Sequence, residues 1–184
     1  FPDDIGFTKL PRTYFKALER VYISSAFTSV DGNTFRDSTA LREVIFSDDF
    51  SVRQLPAGMF INCPNLEEIT FPNCVTSMGG SMFSSDISLK KIVLGENMAK
   101  IGTANFVEAI SGSKMIYASS ALEPIAHNSF TYGSADPKSV TLFYVGTKEE
   151  AQAFVAASKH AAVTGATLVE WDSTKNDSYY ASPE

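Results

Sequence analysis

The apolar residues of this chain recur with a period of about 23 residues. Four blocks share the form L-x-x-[VI]-x-[ILF]: LERVYI from Leu18, LREVIF from Leu41, LEEITF from Leu66 and LKKIVL from Leu89. The last two apolar positions of each block are two residues apart, which is the spacing at which strand side chains point to one face. Each block therefore predicts a short β-strand, and successive blocks begin 23, 25 and 23 residues apart.

A second landmark follows each block, an aliphatic residue five positions before a phenylalanine. The pairs are Leu10 and Phe15, Val30 and Phe35, Leu55 and Phe60, Met78 and Phe83, Ile101 and Phe106, and Ile125 and Phe130. The chain must return from the strand to this phenylalanine, and turn sequences such as GG at 79–80 and GEN at 95–97 supply the bends. No single unit can bury its own apolar residues, so the units are predicted to stack as the coils of a solenoid with parallel strands.

The ends of the chain extend the same register more weakly. Further strands are predicted around Ile116 and Leu142, and residues 1–17 are predicted to be the rear half of a partial N-terminal repeat. The chain begins at Phe1 without a methionine, which indicates a processed or excised product.

A helix is predicted after the last weak strand. Thr147 and Glu150 form a T-x-x-E capping box, and apolar residues continue at helical spacing. Lys159 and His160 would complement the dipole at the helix C-terminus. ATLVEW at 166–171 predicts a closing strand. The predicted organisation is one domain over 1–184, with a partial repeat at 1–17, repeats at 18–144, a C-terminal cap at 145–171 and a loosely ordered polar tail at 172–184.

These repeats resemble leucine-rich repeats of the BspA-like type. LEEITFPNCVTSMGGSMFSSDISL follows that consensus closely, and MFINCPNL carries its cysteine as Cys63; the resemblance covers about residues 18–144. Two departures are that Met, Thr, Asn or Ser replaces the alanine before the phenylalanine, and that other coils have a polar residue at the cysteine position. The resemblance implies an α/β repeat fold, namely a right-handed leucine-rich-repeat solenoid of about six coils. Its parallel β-sheet would form the concave face, with a strand-helix-strand cap at the C-terminus.

Composition and charge exclude several classes of partner. The chain is 44% apolar and 20% charged, as globular proteins are, and its 14 Phe against one Trp predict a core built around phenyl rings. A net charge of −6 repels phosphate backbones and anionic lipid headgroups, so nucleic acid and acidic membranes are poor partners. No apolar run reaches the eighteen or so residues of a membrane-spanning helix, so no membrane insertion is expected.

Two cysteines, Cys63 and Cys74, are too few for a disulfide scaffold and lie outside zinc-binding spacings, so free thiols are favoured. His127 and His160 are more simply a turn residue and a helix-end residue than catalytic bases. Asp48 and Asp49 are adjacent and predicted to lie in a solvated loop.

Metal and phosphate motifs are equally weak. DSTKND at 172–177 lacks the glycine and terminal glutamate of an EF-hand loop, and MGG at 78–80 lacks the lysine of a phosphate-binding loop. No catalytic residue, cofactor or metal site is therefore predicted.

The most informative surface is the outward position between the two apolar residues of each strand. We call this set the outer ladder, and its members are Tyr22, Ile45, Thr70, Val93, Tyr117 and Phe143. A contiguous exposed apolar stripe is a candidate binding surface. The other interpretation is that β-branched and aromatic residues are simply what strands prefer. The sequence leaves both interpretations open.

Two charged columns run beside the outer ladder. The first column is Glu19, Arg42, Glu67 and Lys90, and the second is Arg20, Glu43, Glu68 and Lys91. Opposite charges on neighbouring strands predict cross-strand ion pairs, each contributing about 0.2–1 kcal/mol and chiefly fixing the register. Arg42, Glu68 and Lys91 also join the outer ladder in the candidate binding face.

Two functions of different class are expected. The resemblance implies a non-enzymatic protein–protein interaction or adhesion module of a secreted or cell-surface protein, which binds through its concave strand face and has a host extracellular protein as candidate partner. The alternative is an accessory carbohydrate-binding module in which Tyr22, Tyr117 and Phe143 stack on sugars. The expected location is extracellular or at the cell surface. A hydrolase is disfavoured because no acid, base and nucleophile converge.

Overall fold

The computed structural model describes residues 8–10, 15–105, 114–118, 123, 140–144, 147–158 and 167–170. These residues form short strands and one helix. The bounds are β1 Lys9–Leu10, β2 Arg20–Ile23, β3 Ser29–Val30, β4 Glu43–Phe46, β5 Gln54–Leu55, β6 Glu68–Thr70, β7 Ser77–Met78, β8 Lys91–Val93, β9 Lys100–Ile101, β10 Lys114–Ala118, β11 Val140–Tyr144, α1 Lys148–Ala157 and β12 Thr167–Glu170.

Each repeat that is described on both its front and its return side contributes two strands, and every described strand pair is parallel. The predicted blocks form front strands, which are β2, β4, β6, β8, β10 and β11, and β12 extends the same row. Five of the six aliphatic landmarks lie in two-residue strands on the return path, namely β1, β3, β5, β7 and β9. The sixth landmark, Ile125, lies outside the described residues. The front strands confirm the prediction from the repeat, whereas the return strands were predicted only as turns. A two-residue pattern is too short to signal a strand.

The coil at residues 41–65 interrupts both rows of strands. In this coil the landmark Leu55 lies nine positions after Phe46, the end of the front block, whereas the landmark lies seven positions after the block in the other three described coils. Strand β4 pairs only with β2, and β5 pairs only with β7, so the front strands form one sheet of two and one of five. We call the missing pairing between the two front sheets the β4–β6 break. The expectation of one continuous front sheet is wrong at this point, because the longer coil keeps its front strand with the preceding coil and its return strand with the following one.

Phenylalanine rings form a column through the core, as the composition predicted. Phe35, Phe60 and Phe83 are fully buried and lie in successive coils. The ring centroids of Phe35 and Phe60 are 5.6 Å apart and those of Phe60 and Phe83 are 5.9 Å apart, with nearly parallel planes. Phe15 extends the column at 5.8 Å from Phe35. The column ties each coil to the next, which is what holds a solenoid together.

Tight turns flank each core phenylalanine. The residue two positions before the ring has a left-handed backbone in four successive coils, with φ of 59°, 72°, 56° and 56° at Asn33, Gly58, Ser81 and Ala104. Asn and Gly tolerate this conformation at low cost.

Substitutions at the alanine position of the motif are accommodated by packing or hydrogen bonds. Met59 and Met82 are fully buried in the core. The buried Thr34 hydroxyl donates to the carbonyl oxygen of Asp31 at 2.5 Å. The buried Asn105 accepts a hydrogen bond from the amide of Met82 at 2.8 Å and donates to a backbone carbonyl at 2.7 Å. The residues that replace the alanine of the motif are therefore compatible with the repeat fold.

Glycine is required where successive coils approach most closely. A Cβ added at Gly79 would lie 2.5 Å from the backbone nitrogen of Ala57 in the preceding coil. A Cβ at Gly102 would lie equally close to the backbone of Gly80. The sequence predicted the glycine pair at 79–80 as a turn of the repeat, and the structure shows that it also allows close packing between coils.

The C-terminal elements confirm the predicted helix and strand. Thr147 caps α1 in a complete capping box with Glu150, Ala151 is buried, and Phe154 and Val155 pack against the core. Strand β12 pairs in parallel with β11. The predicted roles of Lys159 and His160 and the tail from residue 172 lie outside the described residues.

Candidate functional site

The strand register aligns the outer ladder in two rows. On the first front sheet Tyr22 is the register partner of Ile45. On the second front sheet each ladder residue is the register partner of the next one, in the order Thr70, Val93, Tyr117 and Phe143. The register adds Val169 of β12 beside Phe143, a position that the sequence pattern did not include. The β4–β6 break separates the two rows.

The first row is the more exposed and the more apolar in the described part of the ladder. Tyr22 and Ile45 are 46% and 40% exposed, and the only other exposed large hydrophobic residue in the described ranges is Ile87. Thr70 is exposed and Val93 is half-buried. For Tyr117 and Phe143 only the backbone position is described. Two adjacent exposed apolar side chains therefore stand at the start of the ladder.

The charged columns form ion pairs only where the front strands are paired. Arg20 contacts Glu43, and Lys90 Nζ lies 3.0 Å from Glu67 Oε2. These two pairs confirm the predicted cross-strand pairing. Among the described residues Arg42 forms an ion pair with neither of its predicted neighbours, which are Glu19 in the paired β2 coil and Glu67 across the β4–β6 break.

The other candidate charges occupy the ends of the front strands. Arg42 is exposed and has no ion pair with any described residue. Glu68 is exposed and is the register partner of the half-buried Lys91.

A groove of about 1060 Å³ runs along the β4–β6 break. Arg42 lines one end of the groove and Asp48 the other, with Ile45 and Thr70 between them. The sequence reasoning missed this groove. The sequence feature that indicates it is the spacing of 25 residues between Leu41 and Leu66, the longest of the three block spacings.

The described residues offer little for catalysis. Asp48 and Asp49 lie in an exposed turn, as predicted. Cys63 and Cys74 are free thiols that donate to backbone carbonyls, Cys63 to Phe35 at 3.2 Å and Cys74 to Phe50 at 2.9 Å. Burial, with a contribution from the nearby Asp86 carboxylate, raises the pKa of the Cys63 thiol well above its ordinary range. Both thiols are therefore structural.

Within the described ranges, no group of three or more His, Cys, Asp or Glu side chains is placed to hold a metal ion. His127, His160 and the segment 172–177 lie outside those ranges. Of the helical residues that the structure describes, none belongs to a helix both long and apolar enough to cross a membrane.

Comparison with known proteins agrees with the repeat pattern. The family model described as BspA type Leucine rich repeat region (6 copies) matches residues 9–135. No curated protein sequence matches the chain.

Solved structures of bacterial leucine-rich repeat proteins are similar in fold. A Leucine Rich Repeat protein of T. pallidum is 21% identical with a TM-score of 0.62, and the match covers 79% of this chain and 72% of that one. A leucine-rich repeat protein from Bacteroides ovatus is 14% identical with a TM-score of 0.57, covering 83% of this chain and 37% of that one. The chain thus spans well under half the length of the Bacteroides protein. Together with the two-strand coils and the phenylalanine column, the family match shows that this chain belongs to the BspA type leucine-rich repeat family.

Proposed function

We propose that this chain is a non-enzymatic protein-interaction module that binds its partner through the outer ladder. Leucine-rich repeat proteins are typically binding scaffolds, and stacked coils present an extended surface without a closed pocket. The observation that carries the proposal is the exposed pair Tyr22 and Ile45, side by side in register. Tyr is enriched at protein interfaces because it buries a large area and keeps a polar tip.

The charges beside the ladder suit a protein partner better than a sugar. Arg42 and Glu68 place opposite charges on one exposed face. A mixed polar rim around an apolar centre is the usual anatomy of a protein interface. An adhesion role and an extracellular or cell-surface location are part of the proposal and rest on the family resemblance.

The proposal includes the finer architecture. The solenoid is right-handed and has about six coils in residues 18–144, preceded by a partial repeat at 1–17. The strand-helix-strand segment at 145–171 closes its C-terminal end, followed by the tail at 172–184. The capping box of α1 and the pairing of β12 with β11 support this closing role. The front face is concave, as solenoid stacking generally makes it.

A binding panel tests the proposed function. The parent chain is assayed by surface plasmon resonance against immobilised extracellular matrix and host serum proteins, and against a glycan array. Replacing Tyr22 and Ile45 together by Ser is expected to weaken specific protein binding at least tenfold. The matched control is Ile87→Ser, at an apolar residue outside the ladder that is 55% exposed, and it is expected to bind as the parent does.

Two outcomes contradict the proposal. Protein binding that survives the double substitution would remove the outer ladder as the binding surface. Specific saccharide binding that is lost in Tyr22→Ser, with no protein binding, would favour the carbohydrate-binding alternative.

A further inference from the structure

The β4–β6 break leaves two strand edges open in the middle of the front face. In β6 the carbonyl of Glu67 accepts from the amides of the β8 coil, and the amide of Phe71 donates to Val93. Because consecutive residues of a strand direct their backbone groups to opposite sides, Glu68 and Thr70 direct theirs toward β4.

Strand β4 presents the matching edge. Ser47 donates its amide to Ile23 of β2, and Ile45 is the register partner of Tyr22. The alternate residues Val44 and Phe46 therefore direct their backbone groups toward β6. No ladder of hydrogen bonds joins the two edges, although β4 and β6 are completely described and their Cα atoms approach within 8 Å.

The coils on either side of the break are joined firmly on the return path. Strand β5 pairs with β7, and the amide of Phe60 donates to Met82 at 3.1 Å. At the front the two coils are in contact, since the rings of Phe46 and Phe71 lie 5.9 Å apart, but no backbone hydrogen bond joins β4 to β6. Separation of these two strands by a few Å about the return side would reach about 9.6 Å, the width that one inserted strand needs.

We propose that the β4–β6 break is a docking site for an extended segment of a protein partner, which inserts as an additional parallel strand. Open strand edges are templates for another strand, and backbone hydrogen bonds supply the affinity in such complexes. Neither a sugar nor a folded surface can match the alternating donors and acceptors of two facing edges. This inference rests on the proposed function and names the chemical class of the partner.

The charges at the two ends of the groove determine which charges the inserted partner segment carries at its own ends. Arg42 precedes β4 and Asp48 follows it, both are exposed, and neither has an ion pair with a described residue. Six residues at about 3.3 Å each span the roughly 20 Å between these positions. A parallel segment of six residues, acidic at its first position and basic at its last, with β-branched residues between, complements the groove.

Amide hydrogen exchange and peptide titration, followed by NMR, test the inference. The probe is an acetylated and amidated peptide Glu-Val-Thr-Val-Thr-Lys, and the control peptide exchanges the first and last residues. In the free protein the amides of Phe46 and Thr70 are expected to exchange at least tenfold faster than that of Ile69. Saturation with the probe is expected to slow them at least tenfold, and the probe is expected to bind about five- to tenfold more tightly than the control peptide.

Charge reversal in the groove provides the matched variant. Arg42→Glu combined with Asp48→Lys exchanges the end charges at exposed positions and is expected to reverse the preference between the two peptides. Ile87→Ser, at an exposed position outside the groove, is expected to leave peptide binding unchanged. Protected Phe46 and Thr70 amides in the free protein, or no peptide binding, would overturn the inference.

The two proposals fail separately. If the peptide does not bind while the Tyr22 and Ile45 double variant still loses its protein partner, the groove is excluded and the outer ladder stands. If the peptide binds with the predicted polarity while the double variant keeps its protein partner, the outer ladder is excluded and the groove stands.

Discussion

Removing one ring from the phenylalanine column should destabilise the whole stack. Phe83 is fully buried, stacks on Phe60 at 5.9 Å and contacts the Phe71 ring at 6.1 Å. Truncation of a buried phenylalanine to alanine costs about 3–5 kcal/mol, and each lost aromatic pair accounts for about 0.5–1.5 kcal/mol beyond area burial. With two ring neighbours among the described residues, Phe83→Ala is expected in the upper half of that range, at about 4–5 kcal/mol.

Urea denaturation followed by circular dichroism measures this loss. With a slope of about 2 kcal/mol per M, the midpoint should fall by about 2 M. Phe15→Ala is the matched comparison, because Phe15 belongs to the same column and is only half-buried, with Phe35 as its ring neighbour among the described residues. It should lose about 1–2 kcal/mol.

A stable domain has only about 5–15 kcal/mol in total, so Phe83→Ala could fail to fold. Phe83→Leu keeps most of the volume and should lose about 1–2 kcal/mol, and Phe15→Leu, at the half-buried position, is its matched control and should lose less. If neither Phe83 variant loses more free energy of unfolding than the same substitution at Phe15, the phenylalanine column is not what couples the coils.

Three further substitutions probe single contacts. Gly79→Ala should lower the free energy of unfolding in urea by about 1–3 kcal/mol, because its Cβ would lie 2.5 Å from backbone. Gly32→Ala, whose Cβ would lie 3.3 Å from the nearest atom, should lose less. Equal losses in the two variants would contradict this reasoning. Asn105→Ala should cost about 1–3 kcal/mol because it leaves the buried amide of Met82 without its acceptor, and full stability by thermal melting would argue against that bond. The raised pKa of Cys63 keeps the folded thiol protonated while the unfolded thiol ionises near pH 8.5. The free energy of unfolding therefore falls as pH rises, and between pH 7.5 and 9.5 the parent should lose about 1.4 kcal/mol more than Cys63→Ala. If the free energies of the two proteins change with pH in parallel, the raised pKa is refuted.

The repeat itself could be predicted because its signal is redundant. Ile69 and Ile92, or Phe60 and Phe83, occupy the same position in successive units, so one irregular residue does not hide the pattern. The capping box at Thr147 was likewise local, since both of its hydrogen bonds lie within four residues. Such features depend on contacts near in sequence or repeated along it.

The candidate site was predicted only in part. Alternation along each strand placed Tyr22 and Ile45 on the outward face, and both are exposed. Ion pairing between Arg42 and Glu67 was predicted from the assumption that every front strand pairs with the next, and the β4–β6 break removes that assumption.

The sequence by itself determined the period, the inward positions and the outward ladder, because burial of one face sets a strand's alternation and each coil repeats it. Only the tertiary structure decided which strands pair. The two additional residues between Phe46 and Leu55 are compatible, in sequence terms alone, with a bulge in the turn that leaves the strand pairing unchanged. Instead β4 pairs with β2, and β5 pairs with β7. The pairing of each strand depends on its distance from the strands of the coils before and after it. That distance is set by how the coils stack and not by the sequence of one coil.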